Sequence, residues 1–228
     1  MEQVVDLLIK PYISALKKEF GERVWFVGLQ GSYARGEEGE HSDIDLVVIL
    51  NTVSLEDFCV YSRMLDGLPH REKMCGFISG KEELFAWDRA DLFQFCHDTI
   101  PMIGSLQEIM ESIQTNDIQR AVHTGMCDLY HACAHNLVHG KKLESLQNCY
   151  KSARFLLQAI GYLQKGVYIR RKEELMTILL PLDRDILLVG EQIKNRECIT
   201  EKDFEQYSGI LLRWTSNWLI HQKEMIPY

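Results

Sequence analysis

The chain has 228 residues, 46% of them hydrophobic and 25% charged, with a formal net charge of −8. That composition belongs to a globular protein able to bury a sizeable core, as one large domain or two small ones, and not to a disordered chain. The acidic balance argues against a duplex-binding protein, which carries a basic footprint, so a nucleic-acid partner is not expected, and it is compatible with a cationic small-molecule partner. No apolar run approaches the ~18 residues of a membrane span. The N-terminal MEQVVDLLIKPY lacks the basic start and small-residue cleavage site of a signal peptide. Seven cysteines at irregular spacing, with no Cys-x-x-Cys pair, read as reduced thiols. A cytoplasmic protein with no membrane partner is the expectation.

In chain order, residues 3–20 place Leu8, Tyr12, Leu16 and Phe20 at helical spacing, with a restart at Pro11. VWFVGL (24–29) and DIDLVVIL (43–50) read as buried strands. Residues 54–65 form a helix opened by a Ser54–Asp57 capping box. EKMCGFIS (72–79) is a third strand, KEELFAW a short helix, and DLFQFCHD (91–98) a fourth strand or an extended connection. Beyond residue 105 the pattern turns wholly helical: 105–114, 117–139, 143–165, 171–180, 182–196 and 200–222. Gly140, Gly166 and Pro181 punctuate these segments, and Thr200 with Asp203 caps the last. The fold class is α+β: a small mixed sheet with flanking helices over residues 1–105, then an all-α bundle over 106–228.

One stretch carries chemistry. Strand 24–29 runs into Gly31-Ser32, where glycine lets the backbone approach a ligand and serine adds a hydroxyl donor to amides that can meet an anion. Ten residues later come Asp43 and Asp45, which alternate with Ile44 and so project from one strand face, about 6.6 Å apart. Carboxylates that close repel unless cations sit between them. Two metal ions about 3.5–4 Å apart, bridging phosphate oxygens, satisfy that arrangement. Alone, the two acids read equally as solvated charge topping an edge strand; the Gly-Ser upstream and the apolar strand behind them favour a metal–nucleotide site.

Gly31-Ser32, a spacer of ten, then Asp43-Ile44-Asp45-Leu46 resembles the signature of the nucleotidyltransferase superfamily with the DNA polymerase β-like fold. The resemblance implies that Gly31 and Ser32 hold the terminal phosphates of ATP or another NTP and that Asp43 and Asp45 bind Mg²⁺. It also implies transfer of a nucleoside monophosphate to an acceptor hydroxyl. A third carboxylate from the next strand is usual in that family; Glu72 is the first candidate and Asp98 the second. The run 153–175 is similar to a helix-turn-helix of the streptomycin/spectinomycin adenylyltransferases, in which an arginine and a lysine face the phosphates. The corresponding positions here are Arg154 and Lys172, with Lys151 as an alternative to Arg154. This places the chain nearest the aminoglycoside nucleotidyltransferase-like group, with a small acceptor expected in a cleft between the domains and a homodimer left open. A protein-AMPylating enzyme of the antitoxin type and a non-catalytic nucleotide-binding module are the rivals.

Two other features were weighed. Cys127, His131, His135 and His139 recur every four residues on one helix, with His123 one turn earlier. The four span about 18 Å, too far for one zinc ion to collect; the line is expected to face the substrate cleft or pack beneath it. Arg213 precedes His221 by more than the four to six intervening residues of the HEPN ribonuclease toxins, which argues against that activity.

Overall fold

The computed structural model describes residues 5–39 and 42–225. It divides into two compact units, Met1–Ile113 and Gln114–Tyr228. The first is built on a four-stranded sheet: β1 (Val24–Gln30), β2 (Ile44–Leu50), β3 (Met74–Gly80) and β4 (Ile100–Ile103), in the order β3-β2-β1-β4. β1 lies antiparallel to both β2 and β4, whereas β2 and β3 are parallel. Around the sheet run α1 (Lys10–Phe20), α2 (Gly31–Arg35), α3 (Leu55–Asp66), α4 (Lys81–Phe85), α5 (Arg89–Asp98) and α6 (Gln107–Ser112).

Alternation along the strands sorts their side chains onto two faces. Val27, Leu29, Ile44, Leu46, Val48 and Leu50 join Tyr12, Leu16 and Phe20 of α1 in one core. Phe26, Val47 and Ile49 join Leu84, Leu92, Cys96 and Ile109 in the other. Both faces being covered, β2 reads as an unbroken apolar run, and each fully buried Leu or Ile contributes about 1.5–3 kcal/mol. By the same alternation Asp43 and Asp45 belong to the face of Val47 and Ile49. The expected Ser54–Asp57 capping box starts α3, and Arg23 clamps Asp57 with bonds of 2.8 and 2.7 Å.

Residues 91–98 are not a strand. They form the body of α5, started by Asp88, whose carboxylate accepts from Ala90 N at 2.8 Å, and Leu92, Phe93 and Cys96 bury one helical face. Short apolar runs do not declare their period. The fourth strand follows at β4. The units divide at Ile113/Gln114 and not at residue 105, because Leu106 and Ile109 pack into the core of Phe26 and Val47.

The second unit is a helical bundle of α7 (Thr115–His135), α8 (Leu143–Lys165), α9 (Lys172–Ile178), α10 (Pro181–Lys194) and α11 (Glu201–Met225). α7 packs on α8 and α11, and α8 on α10. A π-helical turn, Asn136–Gly140, ends α7, and Gly166 in the left-handed region (φ 71°) closes α8. Asp183 is buried among the helices and accepts from the Trp214 indole at 2.8 Å. Among the described residues no helix is long and apolar enough to cross a membrane.

Candidate active site

β1 delivers the chain to Gly31, where a φ of 69° breaks the strand and starts the single-turn helix α2. Gly36, also left-handed, ends that turn, and Glu37 N donates back to Ser32 O at 2.9 Å. The loop is tied again by Gly39 N donating to Ser42 Oγ at 2.8 Å. β2 then pairs with β1 so that Asp45 lies opposite Gln30. The consequence is a close approach: a β-carbon on Gly31 would stand 1.9 Å from Asp45 Oδ2. Glycine at this position is required twice, by its backbone angle and by the carboxylate in front of it. Asp43 is exposed, while Asp45 and Ser32 are half-buried.

Gln30 is itself held. Its Nε2 donates to Thr99 Oγ1 at 2.7 Å and to Phe95 O at 3.4 Å, which links the end of β1 to the α5–β4 junction. Gly28 admits Thr99, just before β4, since a β-carbon there would meet Thr99 Cγ2 at 2.3 Å. This Gln30–Thr99 brace carries no sequence motif, which is why the sequence did not announce it.

The structure brings Gly31, Ser32, Asp43 and Asp45 to one end of the sheet. Glu72 precedes β3 at that same end of the sheet, where Met74 pairs with Ile44. It sits in an exposed 3₁₀ turn, Arg71–Lys73, with His70 Nδ1 3.4 Å from its carboxylate. Its own backbone amide, foremost, holds its carboxyl below the usual range. The residue of β3 in parallel register with Asp45 is Cys75, an exposed thiol on the face of Phe77. Asp98 is buried at the end of α5, where it accepts from Gln94 Nε2.

In the bundle, Arg154 of α8 is half-buried and donates to Arg170 O at 2.9 Å. Gln158, one turn on, is fully buried and donates to Ile169 O and Arg170 O at 3.0 and 3.2 Å. Together they grip the loop that ends at Lys172, the first residue of α9. Lys172 Nζ lies 3.0 Å from Glu191 Oε2 and 3.8 Å from Glu173 Oε1, and Lys151 is exposed. His123, Cys127, His131, His135 and His139 are all exposed and do not pack beneath the bundle.

Among the described residues no group of three or more His, Cys, Asp or Glu side chains is gathered closely enough to hold an ion alone. The pair Asp43–Asp45 nevertheless fits Mg²⁺. That ion retains waters and takes further oxygens from phosphates, needing one or two carboxylates from the protein. Gly31 leaves the space beside Asp45 Oδ2 free of a side chain.

Residues 9–95 match the nucleotidyltransferase domain family. A Methanocaldococcus jannaschii protein, provisionally named a protein adenylyltransferase, is 44% identical over 41 residues; the chain covers 41% of that protein's length, using 18% of its own. The crystal structure of spectinomycin adenyltransferase AAD(9) from Enterococcus faecialis, solved with ATP and spectinomycin, aligns with a TM-score of 0.59 at 14% identity, over 91% of this chain and 98% of that one. That last likeness is one of fold, and it extends through the helical bundle. Within residues 9–95 the chain carries a nucleotidyltransferase domain.

Proposed function

We propose that the chain is an adenylyltransferase, moving AMP from ATP to a hydroxyl of a small, polycationic acceptor of the aminoglycoside kind. The observation that carries the reading is the juxtaposition of Gly31 and Asp45, a turn we assign to the phosphates beside a carboxylate we assign to the metal. Ser32 and the adjacent amides bind the terminal phosphates. Asp43 and Asp45 would hold Mg²⁺, which neutralises charge on the triphosphate when bound. The acceptor hydroxyl oxygen attacks the α-phosphorus and gives up its proton to solvent, the bond to the bridging oxygen breaks, and pyrophosphate leaves. Positioning and fixed charge supply most of the acceleration.

Glu72 is proposed as a supporting anion at the mouth of the site. With its carboxyl held below the usual range, Glu72 is a weaker proton acceptor than an ordinary glutamate. Arg154 and Lys172 are proposed as cations toward the phosphates, Lys172 directly and Arg154 by fixing the loop that carries it. The support is the grip of Arg154 on Arg170 O and the fold match through the bundle to a protein solved with ATP and spectinomycin. The place of action is proposed to be the cytoplasm, where MgATP is available.

A second reading, with a protein as acceptor, is favoured by the local identity to the protein named as a protein adenylyltransferase. The test is pyrophosphate release with Mg²⁺ and each of four nucleoside triphosphates against a panel of aminoglycosides and other hydroxylated amines. Asp45→Asn is the control. Release that needs one acceptor and ATP, and vanishes in the variant, is the expected result. Silence on the panel combined with transfer of labelled AMP to a polypeptide selects the second reading. MgATP binding with no transfer to any acceptor overturns both.

A further inference from the structure

The histidine line of α7 has no part in the reaction above. The line is too long for one ion, yet its two ends are spaced as chelating pairs. The ring centroids of His135 and His139 lie 5.0 Å apart. Two imidazoles on one zinc ion, each bound through nitrogen at about 2.0–2.1 Å and separated by the tetrahedral angle, have centroids about 5.2 Å apart. At the other end, Cys127 Sγ lies 3.9 Å from His123 Nε2. A thiolate at about 2.3 Å and an imidazole at about 2.0–2.1 Å on one ion are about 3.6 Å apart. Between them, His131 and His135 are separated by 6.3 Å, beyond the tetrahedral span.

The turn that carries His139 is fixed. Asn136 is buried, donates to Lys142 O at 2.9 Å and accepts from Lys142 N at 3.0 Å. Gly140 leaves room for it, since a β-carbon there would meet Asn136 Oδ1 at 2.6 Å. The backbone that carries His139 is thereby anchored next to His135, while both rings stay exposed and open to an ion.

We propose that this face binds borderline divalent cations such as Zn²⁺, Co²⁺ or Ni²⁺ at two separate sites. One is His135–His139 and the other His123–Cys127. Each pair gives two protein ligands and leaves the remaining positions to water. Imidazole and thiolate donors select these ions over Mg²⁺, so the sites do not compete with Asp43 and Asp45 for the ion the reaction uses. With two protein ligands each, the sites bind more weakly than a closed four-ligand structural site.

The experiment is calorimetric titration of the full chain with Zn²⁺ in the presence of excess Mg²⁺ to occupy the carboxylate pair. Wild type takes up two equivalents. His139→Ala loses one, Cys127→Ser loses the other, and the double variant loses both, with circular dichroism unchanged throughout. Titration with Co²⁺ adds a second readout: a thiolate-to-cobalt absorption band, present in wild type and His139→Ala and missing in Cys127→Ser. Two equivalents retained by the double variant, or no uptake by wild type at submillimolar Zn²⁺, overturns the proposal. A single equivalent abolished by either variant alone overturns the two-site arrangement.

Discussion

The α-carbon of Gly31 lies so close to the carboxylate of Asp45 that a β-carbon on it would stand 1.9 Å from Oδ2. Two features that are separate in the sequence, a turn and an acid, are one object in the fold. Gly31→Ala should therefore disturb the carboxylate as well as the turn. Forcing alanine to a φ of 69° costs about 1–2 kcal/mol, and the new methyl group displaces Asp45. The expected outcome is a folded protein, melting a few degrees lower, whose MgATP affinity falls at least tenfold by calorimetry. Native-like affinity would break the link between the turn and the acid.

The two candidate acids Asp45 and Glu72 should behave differently. Asp45→Asn removes the carboxylate proposed to hold the metal at the reacting phosphate, and turnover should fall by more than about 10³-fold with the melting temperature unchanged or raised. Glu72→Gln removes an exposed charge outside the register of Asp45, and a loss below about tenfold is expected, short of the 10²–10⁴ that a general base supplies. Steady-state pyrophosphate release measures both. A collapse of turnover in Glu72→Gln would return the base role to that residue.

Arg154 and Lys172 should separate in the same way. Arg154→Ala removes one of the two donors to Arg170 O, Gln158 supplying the other, and should cost about 0.5–1.5 kcal/mol in urea unfolding. Lys172→Ala removes a partly exposed ion pair with Glu191, for which less than about 1 kcal/mol is expected, while the KM for ATP rises. An unchanged KM in Lys172→Ala removes that residue from the nucleotide site.

Burial holds the Asp183 carboxyl above the ordinary carboxylate range, although the Trp214 N–H bond acts in the opposite direction. The sign follows from proton counting. Between the unfolded value of 3.8 and the raised folded one, the native state binds more protons than the unfolded chain, so stability falls as pH rises through that window and levels off above it. Asp183→Asn keeps an acceptor for Trp214 and has no proton to lose. Its urea midpoints should lack this component of the slope between acid and neutral pH; an identical slope in the variant places the titrating group elsewhere.

Much of this was legible in the sequence because it is local. Val24–Leu29 and Asp43–Leu50 declare themselves by unbroken β-branched and aromatic composition, and Ser54 with Asp57 by capping chemistry. The Gly31–Asp45 pairing sits within one hairpin, where strand alternation and spacing are enough to bring its parts together. The register of β3 is another matter. Asp45 and Cys75 are neighbours only because two parallel strands far apart in sequence align, and no local pattern encodes that alignment. Residues 91–98 misled for a different reason: Leu92, Phe93, Phe95 and Cys96 are dense enough in apolar groups to suit either period, and the cap at Asp88 decided for helix. Arg154 is readable as a cation but not as a clamp, since its partner is a backbone carbonyl that only the folded loop presents.

The turn at Gly31, the half-buried serine after it and both carboxylates all lie between Val24 and Leu50, on two directly paired strands and the connection between them. A geometry confined to one hairpin can be inherited as a cassette. Substitutions elsewhere in the chain can accumulate without disturbing the approach of the turn to the acid that this hairpin sets.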